Sequence, residues 1–70
     1  MKKEELKIGM ILADYGIDHN LKILNIEGDI ISYNYWPEQP AIKQNINDFL
    51  KESLTDNESA IRAFSYVDGY

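Results

Sequence analysis

Two neighbouring stretches, Leu21-Lys-Ile-Leu-Asn-Ile-Glu27 and Ile30-Ile-Ser-Tyr-Asn-Tyr-Trp36, are rich in β-branched and aromatic residues interleaved with polar ones, and only Gly28-Asp29 separates them. That pattern reads as two strands joined by a tight reversal, and glycine at the first central position suits a type II′ hairpin turn. Counting outward from the turn pairs Glu27 with Ile30, Ile26 with Ile31, Leu24 with Tyr33 and Lys22 with Tyr35. The last three pairs share one face, which is assigned to the core. The other face pairs Asn25 with Ser32, Ile23 with Asn34 and Leu21 with Trp36. A one-residue slip would bury Asn25, Ser32 and Asn34, so the pattern specifies the register.

Upstream, Lys7 to Asp14 reads as a further strand with Gly9 as a bulge, joined to the hairpin by the turn-rich Tyr15-Gly-Ile-Asp-His-Asn20. Pro37 and Pro40 end the third strand because proline cannot donate to a ladder. Downstream, Ile46, Phe49, Leu50 and Leu54 recur at helical spacing, with Asn45 or Asn47 able to cap. Thr55-Asp-Asn-Glu58 then matches a capping box ahead of Ala60, Ile61, Phe64 and Val67, which predicts a second helix near residues 56–64. The competing assignment is a strand over Ile61–Val67. The whole reads as one α+β domain spanning residues 1–70: a small antiparallel β-meander followed by one or two short C-terminal helices.

Composition narrows what such a domain does. Seventy residues, 44% of them apolar, support a single core with a thin margin, since ordering a residue costs about 1.5 kcal/mol. There is no cysteine, so neither a disulfide nor a thiolate metal cage helps. Met1-Lys2-Lys3 runs straight into Glu4-Glu5, without the apolar stretch of a signal peptide, and the expected location is the cytoplasm. The net charge of −5 is uneven: residues 14–39 hold Asp14, Asp18, Glu27, Asp29 and Glu38 against Lys22 alone. No basic stripe can be assembled to neutralise phosphates, so direct nucleic-acid binding and docking on an anionic membrane are not expected.

Catalytic chemistry finds little to stand on. The one histidine, His19, falls between Asp18 and Asn20 and reads as a solvated turn residue, without a flanked serine to serve as nucleophile. Asp14, Asp18, His19 and Asn20 could offer metal ligands, but their spacing is not that of an EF-hand, and Asp and Asn are common turn formers. The dispersed glycines make no phosphate loop. No catalytic residue, metal site or cofactor is assigned, and no enzymatic activity is expected.

The aromatic residues say more. Tyr35 and Trp36 precede Pro37 and Glu38, and the register sets Trp36 across from Leu21. Tyr and Trp dominate interface hot spots. The candidate contact patch is therefore Leu21, Ile23, Tyr35, Trp36, Pro37 and Glu38, unless the C-terminal helices cover that end of the sheet. The acidic surface either keeps a small protein soluble or mimics phosphates in the basic groove of an enzyme.

The strings Lys7-Ile-Gly-Met, Asp14-Tyr-Gly, Leu21-Lys-Ile-Leu-Asn-Ile, Asp29-Ile-Ile-Ser-Tyr and then Phe49 resemble the small SH3-like barrel proteins of phages and prophages. The resemblance spans residues 7–50, and the chain after Leu54 lies outside it. It implies a sheet closed as an SH3-like barrel. It also implies a mobile-element accessory role: a regulator, or an inhibitor of a defence enzyme of the anti-CRISPR kind. The expected function is thus non-enzymatic occupation of a macromolecular partner, a protein, with a nucleic-acid-processing enzyme as a candidate. The alternatives are a homodimeric or higher-order scaffold built on the same patch, and a phosphate-mimicking blocker of a nucleic-acid groove.

Overall fold

In the computed structural model, which describes all 70 residues, Gly28 adopts φ +59° while Asp29 keeps a negative φ, as a type II′ turn requires. The turn joins β2 (His19–Glu27) to β3 (Ile30–Asn34). Glu27 faces Ile30, Ile26 faces Ile31 and Asn25 faces Ser32, as the pattern predicts. Beyond that point the register shifts. Ile23, not Leu24, lies opposite Tyr33, and Lys22 lies opposite Asn34, so Leu24 is the extra residue of a β-bulge.

The bulge overturns the expected faces. Ile23 and Leu21 point into the core and are buried, whereas Leu24 is 36% exposed. The physical reason is burial. A regular ladder would direct Lys22 inward and two aliphatic side chains outward, and one skipped position exchanges them. The chain upstream holds the irregular site: Gly9 N–H donates to the Ile23 carbonyl (2.7 Å) and Ile23 N–H donates to the Met10 carbonyl (2.9 Å). That upstream segment is a turn and not strand. Met10 N–H returns to the Lys7 carbonyl, with Gly9 at φ +89° in the third position, where a left-handed residue is needed.

Strand β1 is accordingly only Ile11–Asp14, antiparallel to β2 with Leu12 opposite Leu21 and Asp14 opposite His19. After β3 comes β4 (Ile42–Asn45), an edge strand that the polar string Ile-Lys-Gln-Asn does not announce. Helix α1 (Ile46–Phe49) is a single turn capped by Asn45, whose Oδ1 accepts from Asn47 N–H (2.9 Å). It drops Ile46 and Phe49 into the core. Leu54–Thr55, expected to end one helix and cap the next, instead forms a short β5 against Ala13 and Asp14. Helix α2 (Glu58–Ala63) lies within the expected span and excludes the strand alternative. Its cap is Asn57, which accepts from Ser59 and Ala60, while Thr55 Oγ1 accepts from Asn57 N–H and tightens the approach.

The strand order is β4-β3-β2-β1-β5, antiparallel throughout, and the sheet is open with β4 and β5 as its edges. One face carries a single core cluster, Leu6, Leu12, Leu21, Ile23, Ile31, Tyr33, Ile46 and Phe49. On the other face Asn20 Nδ2 donates to the carbonyls of Ile61 (2.6 Å) and Tyr70 (3.2 Å). Tyr70 Oη donates to Asn34 Oδ1 (2.8 Å), and Asn34 Nδ2 donates to the Gln39 carbonyl (2.8 Å). These bonds tie α2 and the C-terminal tail to the sheet. No helix is long and apolar enough to cross a membrane.

The bulge makes a direct prediction. Ile23→Ala empties a core position and should cost about 2–5 kcal/mol in urea unfolding, whereas Leu24→Ala should change stability by about 0.5 kcal/mol or less. The reverse ranking would mean that the ladder is regular and the faces are exchanged.

A candidate binding cleft around His19

The β1–β2 turn brings the first functional group into position. Asp18 takes φ +51°, a left-handed conformation that aspartate tolerates better than most residues, and the chain reverses so that Asp14 and His19 are partners. Asp14 is buried. Its Oδ1 accepts from Gly16 N–H (2.9 Å), closing the turn, and its Oδ2 accepts from Tyr35 Oη (3.1 Å). His19 does not pair with this carboxylate. Its Nδ1 donates to the Asn20 carbonyl (2.7 Å), an oxygen that can only accept, which leaves Nε2 as the ring nitrogen without a partner in the chain.

His19 is therefore not the solvated turn residue expected from its neighbours. It opens β2 and is only 7% exposed. Three aromatic rings surround it. Tyr66 stacks at 4.7 Å between centroids and 28° between planes, Trp36 leans on it at 4.5 Å, and Tyr35 meets it edge-on at 6.0 Å. Tyr66 Oη also donates to the Asp18 carbonyl (3.1 Å). Farther along the tail, Gly69 passes so close that a Cβ there would lie 2.9 Å from His19 Cε1 and 3.2 Å from the Tyr35 carbonyl oxygen. Only glycine lets the tail lie against the imidazole.

The result is an open cleft of about 510 Å³ lined by His19, Trp36, Tyr66, Val67 and Asp68. Its walls are apolar and accessible: Trp36 is 40% exposed, Tyr66 52%, and Val67 wholly exposed. Of the patch expected from the sequence, Trp36 lines the cleft, with Pro37 and Glu38 exposed beside it in the turn that Gln39 N–H closes onto the Trp36 carbonyl. Tyr35 is half-buried and supports Trp36 and His19 from below. Leu21 and Ile23 do not belong to the patch, because the bulge turns both into the core. Sequence reasoning missed the tail residues Tyr66, Val67 and Asp68. The signal was present in the aromatic and glycine content of Tyr66-Val-Asp-Gly-Tyr70. Assigning Val67 to a helical stripe concealed it.

Electrostatically the floor resists ionisation. Burial, and then the negative charge of Asp14 with its hydrogen bond, push the Tyr35 hydroxyl far above its ordinary value near 10. Burial, followed by Glu52 and Asp14, raises that of Tyr33 as well. Both remain neutral hydrogen-bond donors through the physiological range. No three His, Asp or Glu side chains converge as metal ligands. Comparison with protein-family models, curated proteins and solved structures finds no match for this chain.

The tyrosines generate a pH prediction. A folded-state phenol that holds its proton more tightly than the unfolded chain contributes stability that is complete below pH 10 and is lost as the pH rises beyond it. The urea midpoint should therefore be insensitive to this pair up to about pH 10 and fall above it. Tyr35→Phe should cost about 1 kcal/mol at neutral pH and flatten the alkaline decline. An unchanged alkaline slope in that variant would contradict the burial of Tyr35 against Asp14.

Proposed function

We propose that this chain is a non-catalytic binding protein that occupies a surface of a protein partner through the cleft and its rim, Trp36, Pro37, Glu38, Tyr66 and Val67. The observation that carries the reading is the concentration of exposed large apolar side chains on a rigidly supported base. Trp36, Tyr66 and Val67 meet around one concavity, where each is costly to leave in water. Buried His19 and Tyr35, the latter anchored to Asp14, brace them from behind. Bracing matters for affinity, because an aromatic anchor already held in its bound rotamer loses little entropy on association.

The non-catalytic reading draws support from the partners of the two groups that could have acted together as base and orienting carboxylate. The His19–Asp14 pair that could have formed a base and its orienting carboxylate is split between a backbone carbonyl and Tyr35. The charge of −5 favours a basic protein surface over a nucleic acid or an anionic membrane. The resemblance to phage SH3-like proteins rests on the sequence strings of residues 7–50, since the sheet is open and not closed as a barrel. On that resemblance the role is that of a cytoplasmic regulator or inhibitor encoded by a mobile element, and the partner is a nucleic-acid-processing enzyme.

The test compares partner retention from the native host by the wild-type chain and by two variants. Trp36→Ala should weaken the complex by more than about 2 kcal/mol, roughly 30-fold. Leu24→Ala, on the exposed bulge, should leave it unchanged. Equal retention by Trp36→Ala would reject the site. A concentration-dependent dimer in sedimentation that Trp36→Ala dissolves would reassign the cleft to self-association.

A further inference from the structure

The chemistry of the cleft narrows what enters it, on the premise that it is the partner-binding site. We propose that it receives the guanidinium group of an arginine side chain presented by the partner protein. Three observations converge on a planar cation. The lining offers the π faces of Trp36 and Tyr66 beside the His19 ring, and cations are attracted to such faces, tryptophan most strongly. The charged side chain of the lining is Asp68, and no lysine or arginine contributes to it. The surroundings add to the negative field: Tyr66 is bonded to the Asp18 backbone, and Glu38 lies two residues beyond Trp36. The chain's ion pairs engage Asp29, Asp48 and Glu58, so Asp18, Glu38 and Asp68 keep their charge uncompensated.

The third observation separates guanidinium from ammonium. With Nδ1 committed to the Asn20 carbonyl, His19 Nε2 is the ring nitrogen left without a partner in the chain, on a residue that lines the cleft. A guanidinium can stack flat on an aromatic ring while its edge keeps several N–H donors for acceptors in the lining, and it sheds water more easily than an ammonium. An anion would be repelled by Asp68, and a purely apolar group would leave the carboxylate and the ring nitrogen unmet.

The test is an NMR titration of the intact chain with Nα-acetyl-arginine amide, its neutral citrulline isostere and Nα-acetyl-lysine amide, each to about 50 mM, high enough to saturate millimolar binding. Arginine amide should shift the Trp36 indole N–H and the amides of Tyr66 to Gly69 saturably, with lysine amide weaker and the citrulline compound inert. Asp68→Asn, an exposed position whose loss should leave the rest of the spectrum intact, should weaken arginine amide by about threefold, and Trp36→Ala should abolish it. Equal shifts from citrulline, equal or tighter binding of lysine, or no arginine response would each overturn the assignment. Trp36-dependent retention of a partner alongside no response to any of the three compounds would overturn this inference alone. Loss of Trp36 dependence in both experiments would overturn the binding site with it.

Discussion

One skipped residue in β2 sets the arrangement of this molecule. From the turn outward, regular alternation would carry Ile26, Leu24, Lys22 and Asn20 on the core side. With Leu24 bulged out, the inward series becomes Ile26, Ile23, Leu21 and His19. The change of phase reaches the far end of the strand, because a strand's side chains alternate strictly once the bulge is passed. It sets Leu21 opposite Leu12 in the core and brings His19 to the edge of that same face, beside Asp14 and Tyr35. It also sends Asn20 and Lys22 to the opposite face. There the Asn20 amide reaches Ile61 and Tyr70, and the Lys22 ammonium lies 5.7 Å from the centre of the Tyr70 ring. Core and cleft both descend from the same irregularity.

The two faces are held by different physics. The core face is apolar and closes over eight buried side chains. The opposite face near the tail is joined by hydrogen bonds among Asn20, Asn34, Tyr70 and the α2 backbone. A typical bond of that type is worth about 1 kcal/mol net. Asn20 spends both amide protons there, and its Oδ1 is buried with no partner, which returns part of the gain. The wall of the cleft formed by Tyr66, Val67 and Asp68 stands on this tail. The opposite wall, Trp36, rises directly from the end of β3. Tyr66 is held in the tail wall by its stacking on His19 and its hydrogen bond to the Asp18 carbonyl.

What was legible in the sequence follows the range of the forces involved. Gly28-Asp29 declared its turn because the requirement, a positive φ at one residue, is local. Asn45 and the Asn57 region declared helix starts for the same reason, although the cap fell two residues past Thr55. The bulge could not be read, since Leu24 and Ile23 are both good strand residues and only tertiary burial chooses between them. Counting through it moved Leu21 and Ile23 to the surface, while the turn-forming neighbours Asp18 and Asn20 placed His19 in solvent. β4 and β5 were invisible because Ile-Lys-Gln-Asn and Leu-Thr owe their extended form to hydrogen bonds from β3 and β1, not to their own propensity. Trp36 was placed by the same counting, opposite Leu21, but β3 ends at Asn34 and Trp36 lies outside the ladder, exposed with Pro37 and Glu38 on the bend that follows.

Folding also sorts charge in a way that a net value of −5 conceals. Lys3, Lys51 and Arg62 each meet a carboxylate, all in exposed pairs that add little stability. Their consequence is spatial: they neutralise acids elsewhere and leave those around the cleft unopposed. Such a field extends over roughly a Debye length of 8–10 Å at physiological ionic strength, enough to span the mouth of a cleft of this size. Aromatic walls alone would attract any apolar surface. Walls set in uncompensated negative charge, over an imidazole with one unpartnered nitrogen, discriminate by the sign of what approaches. On the proposed binding reading, selectivity comes from the carboxylates and affinity from the rings, and the fold brings the β1–β2 turn, the end of β3 and the tail together around one buried histidine.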